Sequence, residues 1–490
     1  MMVYRRLAAL IALAIILITS VARAASQPNI VIILTDDQGW NDTSVNLGLP
    51  KAKGINDHYR TPSLERLANQ GAKVTHAYAC PVCSPSRITL LTGTNVSSHG
   101  VTNWTLQKGK DLGVVSKGLA LPDWNCNGLQ PAGTNIPRSF ECAETLPAIL
   151  RRAGYRTIHI GKAHFGAVDT PGSNPLNLGF DVNIAGNAMG QPGSFLGLNN
   201  FSAGKDNRKA WDVPDLAEYH GKDVTVTEAL TDRAIAEIRK AHAAGVPFFL
   251  NFAHFGVHTP IEPAKKFSAD YASLSLSRTE KDYATLVADV DASVGRVVAE
   301  LDKMGVANNT IIVFLSDNGG YAQRDGGFKP KNLPLRSGKG SAYEGGLRVP
   351  CIVRWPGITQ PGSTIDAPIR MEDLLPTLVK AAGVKVPVGI DGDDISAVLA
   401  GGKRVTPDFI WYYPHVWGAT GPGIEPFAAI REGDLKAILF FYDERVELYD
   451  ITKDSSESKD LATERPQEAA RLKLKLLAAL KTAGRKLPTR

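Results

Sequence analysis

Four short apolar, β-branched runs in this 490-residue chain stop abruptly at clusters of polar and charged residues. Ile30 to Leu34 runs into Thr35-Asp36-Asp37-Gln38-Gly39, and Thr157 to Ile160 into Gly161-Lys162-Ala163-His164. Phe248 to Phe252 leads towards Val257-His258-Thr259-Pro260, and Ile311 to Leu315 runs into Ser316-Asp317-Asn318-Gly319-Gly320. A run without polar alternation reads as a strand buried on both faces. Helical patterns intervene at Ser63 to Gln70, Ala143 to Ala153, Val224 to Ala244 and Glu280 to Met304. This alternation predicts an α/β fold: a large mixed, mostly parallel sheet sandwiched by helices. Ligands of such sheets collect outside the carboxyl ends of the strands. The clusters therefore predict one rim carrying Asp36, Asp37, Lys162, His164, His258, Asp317 and Asn318.

The chain is too long for one ordinary core, so a large unit with a smaller companion is expected. The main unit is read over 25–383. A glycine-rich connection follows over 384–406. Short strand-like pieces then come at Phe409 to Tyr413, Phe427 to Arg431, Leu435 to Phe441 and Val446 to Tyr449, with a closing helix at Pro466 to Ala483. The expectation for 407–490 is a small antiparallel sheet plus helix.

The N-terminus reads as a secretory signal over 1–24. Arg5 and Arg6 start it, Leu7 to Val21 is mostly apolar, and Ala22-Arg23-Ala24 has the small-x-small form of a cleavage site. The apolar stretch falls short of the roughly 20 residues that span a bilayer, so no stable membrane anchor is expected. The expected location is periplasmic or secreted. The net charge of +6 drops to +3 without Arg5, Arg6 and Arg23. With no long basic run and no zinc-finger spacing, no nucleic-acid partner is expected.

Cys83-Ser84-Pro85-Ser86-Arg87, followed by Leu90-Leu91-Thr92-Gly93, is the most informative short segment. Its plainest reading is a turn leading into a helix, with a buried cysteine. Cys80 and Cys83 also form a C-x-x-C, but no second cysteine or histidine pair completes a zinc site, and a redox pair leaves Pro85-Ser86-Arg87 unexplained. Asp36, Asp37, Asp317 and Asn318 are hard oxygen ligands on two loops. Each loop alone reads as a turn; together, after two buried strands, they suit calcium, and magnesium less well.

The Cys83 segment resembles the signature of the type I, formylglycine-dependent sulfatases, arylsulfatase-like members of the alkaline phosphatase superfamily. Gly161-Lys162-Ala163-His164, His258-Thr259-Pro260, and Gly338-Lys339-Gly340 with Tyr343-Glu344-Gly345-Gly346-Leu347-Arg348-Val349-Pro350 match further family motifs, in the family's order. Glu447-Leu448-Tyr449-Asp450, with Asp454 and Glu457, resembles the end of sulfatase chains. Thr94 departs from the pattern, since many relatives carry a basic residue there.

The resemblance implies that a maturation enzyme oxidises Cys83 to formylglycine, whose hydrate attacks sulfur. It implies a calcium ion held by Asp36, Asp37, Asp317 and Asn318 and touching position 83. Arg87 and Lys162 would hold the diol and charged oxygens, and His258, with Lys339, would protonate the leaving alcohol. His164 would take the second proton, and Lys162, His258 and Lys339 would also bind substrate. With Cys83 modified an even number of cysteines remains, and Cys126 and Cys142 could pair in an oxidising compartment. The implied function is a sulfuric ester hydrolase acting on a sulfated poly- or oligosaccharide or another sulfate ester. A phosphomonoester or phosphonate hydrolase on the same scaffold is the runner-up, and a non-catalytic, calcium-dependent glycan-binding homologue is a further reading. Trp104, Trp411, Tyr412, Tyr413, His415 and Trp417 read either as sugar-stacking rings or as core.

Overall fold

The computed structural model describes residues 27–49, 56–116, 118–204, 206–321, 332–417 and 420–490. The expected signal segment, 1–24, lies outside the described residues. The main sheet has eight strands. In chain order they are β1 (Asn29–Thr35), β2 (Ala72–Val74), β3 (Arg156–Gly161), β4 (Val182–Ile184), β5 (Phe248–Ala253), β6 (Thr310–Ser316), β7 (Cys351–Arg354) and β8 (Ser363–Ile365). Their spatial order is β8-β2-β7-β6-β1-β5-β3-β4. The five strands from β6 to β4 run parallel. β7 is antiparallel to both its neighbours.

Every residue of β1 is buried, and alternate side chains feed two cores. Val31 and Ile33 pack with the helices α1 (Pro62–Gln70), α4 (Val226–Ala243) and α5 (Arg278–Lys303). Ile30, Ile32 and Leu34 pack with α2 (Cys83–Thr92), α3 (Leu146–Arg152) and α6 (Leu374–Ala381). This two-sided burial explains why β1 reads as unbroken apolar sequence. α4 and α5 begin in capping boxes, Thr225 with Glu228 and Ser277 with Glu280, which satisfy backbone amides at their first turns.

The C-terminal sheet is antiparallel, in chain order β9 (Phe409–Tyr413), β10 (Phe427–Glu432), β11 (Leu435–Phe440) and β12 (Val446–Asp450). One face packs α7 (Pro466–Thr482) through Leu472, Leu476 and Leu480. The other packs Tyr78, Tyr343 and Leu347 of the main body. Buried Lys436 of β11 bridges Glu344 at 3.1 Å and Glu457 at 2.9 Å, which ties this sheet to the Tyr343–Pro350 segment. The 384–406 stretch, read from sequence as a connection, buries Ile395, Val398 and Leu399 against the α2 and α6 core. Cys126 and Cys142 are separate free thiols.

Candidate active site

The two acidic loops meet because β1 and β6 are parallel neighbours in a register that pairs Thr35 with Ser316. The next residues, Asp36 and Asp37 on one loop and Asp317 and Asn318 on the other, therefore lie side by side. All four are fully buried. The Asp317 amide donates to the Thr35 carbonyl at 3.1 Å, the Asp37 amide to Asp317 Oδ1 at 3.3 Å, and Asn318 Nδ2 to Asp37 Oδ1 at 2.8 Å. Asp37 turns the chain with φ +59, a conformation that aspartate tolerates.

Cys83 opens α2, whose ten residues are all buried. Its Sγ therefore lies at the positive end of a helix. One turn later Arg87 reaches across to the β6 loop, with Nε donating to Asp317 Oδ2 at 2.8 Å and NH1 to the Lys162 carbonyl at 2.7 Å. Lys162 follows β3 and pairs with Asp36 at 2.7 Å. The glycine before it is required by space: Gly161 has φ +97, and a Cβ there would stand 2.0 Å from the Ala253 carbonyl oxygen. Lys339 Nζ lies 2.5 Å from Asp37 Oδ1 and 3.6 Å from Cys83 Sγ. Three carboxylates, of Asp36, Asp37 and Asp317, thus face three cations, Arg87, Lys162 and Lys339, all of them buried.

Both histidines have a defined proton. His164 Nε2 lies 2.7 Å from the Thr105 carbonyl, which can only accept, so Nε2 carries the hydrogen and Nδ1, which has no partner, is left with its lone pair. His258 Nδ1 donates to the Thr259 carbonyl at 3.0 Å, which leaves Nε2 facing Asp37 Oδ2 at 3.5 Å. Burial, reinforced at His164 by Lys162, holds both rings well below the usual histidine range. The neighbouring His254 is buried, with Nε2 3.4 Å from Ser293 Oγ.

Burial, with Asp317 and Asp37 close by, pushes the Asp36 carboxyl up to about 8 against the pull of Lys162 and Arg87. Burial acts the same way on Asp37, but Lys339, His258 and Lys162 outweigh it and hold that carboxyl far below its ordinary value. Burial raises the Cys83 thiol, with Lys162 and Lys339 opposing.

Asp36 Oδ1, Asp37 Oδ2 and Asn318 Oδ1 are buried acceptors with no hydrogen-bond partner. Ligand atoms of Asp36, Asp37 and Cys83 all lie within 4.8 Å of one another. Orphaned hard oxygens of this kind fit a calcium-type cation. The seven rim residues, with Arg87, Lys339 and Cys83, are thus one constellation at the carboxyl ends of β1, β3, β5 and β6.

A cavity of about 160 Å³ opens onto Cys83, His164, His258 and Lys339. Its walls include Trp104 and Trp417, and also Trp211 and Gln191, which the sequence does not single out. Trp411, Tyr412, Tyr413 and His415 are buried, so for them the core reading holds. Gln191 sits in irregular chain and Trp211 ends a short 3-10 helix, Asp206–Trp211, both between motifs, where neither spacing nor periodicity marks them. Thr105, which fixes His164, contributes only its backbone and could not be found from side-chain chemistry.

The model of the Sulfatase family matches residues 28–384. A second model, described as N-sulphoglucosamine sulphohydrolase, C-terminal, matches residues 338–483. The chain is 30% identical over 506 residues to a sulfatase of Formosa agariphila, covering 92% of this chain and 88% of that one. It is 30% identical over 411 residues to N-acetylgalactosamine-6-sulfatase of Mus musculus, covering 80% and 70%. Among solved structures it is similar to Ps i-CgsB in complex with k-i-k-neocarrahexaose, with TM-score 0.73, 26% identity and 93% of each chain covered.

Proposed function

This chain belongs to the sulfatase family and is a sulfuric ester hydrolase, and we propose that it removes sulfate from a sulfated carbohydrate at the cavity above Cys83. The observation that carries the proposal is the convergence of Cys83, Lys339, His164 and His258 on that cavity, with Arg87 and Lys162 buried directly behind them on Asp317 and Asp36. Relatives whose names specify a sulfated sugar, and a neighbour solved with a carrahexaose, support the substrate class.

Asp36, Asp37, Asp317 and Asn318 would hold a calcium ion, with position 83 beside it. When bound, that ion adds positive charge to a balanced set, which attracts a sulfate ester and favours ionisation of a nearby hydroxyl. The formylglycine proposed at position 83 supplies, as its hydrate, a nucleophilic hydroxyl and a second hydroxyl that permits release.

The remaining work falls to ordinary side chains. Lys339, at the cavity surface, binds the non-bridging sulfate oxygens, and Lys162, buried behind it on Asp36, adds to the positive field there. Arg87 keeps the start of α2 fixed against the β6 loop, so the nucleophile does not drift from the cations. His258, with Nδ1 tied to Thr259, acts through Nε2 in its doubly protonated form, which Asp37 favours, and gives that proton to the departing alcohol, helped by Lys339. His164, with Nε2 tied to Thr105, offers Nδ1 as the base for the second proton. Burial of the carboxylates with Arg87 and Lys162 keeps their charge contacts from being screened by bulk water.

Maturation of Cys83 by a dedicated oxidising enzyme, and export to the periplasm or beyond, belong to the same proposal. Export rests on the leader pattern of residues 1–24. Among the described residues no helix is long and apolar enough to cross a membrane.

The test uses protein purified from its own host. Peptide mass should show an aldehyde in place of the Cys83 thiol. Sulfate should be released from at least one of a set of defined sulfated saccharides, and faster from an aryl sulfate than from the matched aryl phosphate. An intact thiol together with no sulfate release would overturn the proposal.

A further inference from the structure

Three indoles, of Trp104, Trp211 and Trp417, stand around the cavity above Cys83. All three are partly exposed, unlike the buried Trp411. Two are pinned to groups that act in the reaction. Trp104 directly precedes Thr105, whose carbonyl fixes His164 and whose amide donates to Ser84 Oγ at 3.1 Å, next to the nucleophile position. Trp417 lies beside Lys339, with Nζ 5.5 Å from its ring centroid. Gly340 makes room for that indole, since a Cβ there would stand 2.5 Å from it. Trp211 is held through its carbonyl, which accepts from the Gly193 amide at 2.6 Å; Gly190 and Gln191, just before, line the same cavity.

Polar groups on these walls are sparse. Trp104 Nε1 is itself buried, and Gln191 brings one amide to the lining. Flat apolar walls with a few fixed polar groups suit a pyranose, which shows C–H bonds on a face and hydroxyls at its rim. Among the described lining residues the cations are Lys339 and, when protonated, His164 and His258, and the sulfate being cleaved engages them. Among the described residues, a carboxylate or a second sulfate on the same ring would meet no further lining cation.

We propose that Trp104, Trp211 and Trp417 form a specificity-determining subsite that grips the sulfate-bearing sugar ring by its apolar face, and that the preferred unit is a monosulfated, otherwise uncharged pyranose. For what is cleaved this rests on the sulfatase reading above; for what is bound it does not.

The experiment separates the two. Cys83→Ala protein is titrated with methyl hexosides bearing one sulfate at each position in turn, with a disulfated hexoside, with a sulfated hexuronide and with n-butyl sulfate. Binding is read by tryptophan fluorescence and calorimetry. At least one monosulfated hexoside should bind more tightly than every other probe, quenching the indoles. Trp104→Ala and Trp417→Ala should each weaken that binding roughly tenfold, as truncation of a buried aromatic anchor does, with Trp→Phe recovering part of the loss. On mature enzyme, the same substitutions should reduce kcat/KM for the hexoside at least several-fold more than for n-butyl sulfate, chiefly through KM. Melting curves identify an alanine variant that does not fold, in which case the phenylalanine variants carry the comparison. Equal losses on hexoside and butyl sulfate, or preference for the hexuronide or the disulfated ring, would overturn the subsite. Retained, indole-dependent hexoside binding by an enzyme that hydrolyses no sulfate ester would sink the hydrolase reading and leave the subsite standing.

Discussion

Arg87 and Asp317, 230 residues apart in sequence, are locked together with no solvent exposure: both Nε and NH2 of the guanidinium lie 2.8 Å from Asp317 Oδ2. Through this contact the helix that carries the nucleophile is fastened to the loop after β6. Removing one partner of a buried pair leaves an uncompensated charge, which costs about 3–5 kcal/mol. Arg87→Ala should therefore lower the stability of metal-free protein by about that much, read from denaturant unfolding. Arg87→Lys should recover little, because one ammonium cannot reach both Asp317 and the Lys162 carbonyl that NH1 engages at 2.7 Å. A lysine variant as stable as the parent would show that charge alone, and not the fork, matters here.

Calcium binding should depend on pH through Asp36. In metal-free protein its carboxyl is raised to about 8 by burial and neighbouring carboxylates. Below that pH the ion must displace a proton, so apparent affinity should fall as pH is lowered from 9 to about 6. Calorimetry at pH 7 in buffers of different ionisation enthalpy should detect the released proton. The same shift adds a stability contribution to the metal-free fold: because the folded value lies above that of the unfolded chain, Asp36's share declines as pH rises from about 4 to about 8, while the lowered histidines, His164 and His258 among them, contribute with the opposite sign. Affinity that is flat across this range would contradict the assignment.

His258 should matter in proportion to the basicity of the leaving group. Its Nε2 is the ring nitrogen left free by Thr259. Loss of a general acid typically costs 10²–10⁴-fold. His258→Ala should show a loss of about that size in kcat on a sulfated saccharide, and a much smaller one on 4-nitrophenyl sulfate, whose phenolate departs without help. Equal losses on both would assign the histidine to binding.

Cys83→Ser tests why the chain uses a cysteine that must be modified. A serine has one hydroxyl, so the variant should release alcohol from an aryl sulfate once and then stop, with no free sulfate. Stopped-flow absorbance and a sulfate assay would follow the two products. Sustained turnover would show that the second hydroxyl is dispensable.

Much of this molecule was readable before its structure was known. The buried strands announce themselves because two-sided burial removes all alternation, as in Asn29–Thr35. Their polar stops name the rim, because a parallel sheet turns its carboxyl ends into a binding edge. The four C-terminal strands begin where the pattern puts them and end within a residue of it. The antiparallel strand Cys351–Arg354, inserted between β2 and β6, carries no such mark.

Residue chemistry in sequence therefore determined the layer architecture, the acidic loops, the cations and the two histidines of the site. Contacts between distant segments decided the rest. The register pairing Thr35 with Ser316 makes one cage of two turns. The Thr105 and Thr259 carbonyls choose which nitrogen of His164 and of His258 is free. Burial assigned Trp411 to the core, and partial exposure left Trp104, Trp211 and Trp417 at the mouth. The physical reason is the same in each case. Periodicity records how much of a side chain is hidden, whereas a hydrogen bond to a remote backbone oxygen, or the space between two loops, exists only once the chain has closed on itself.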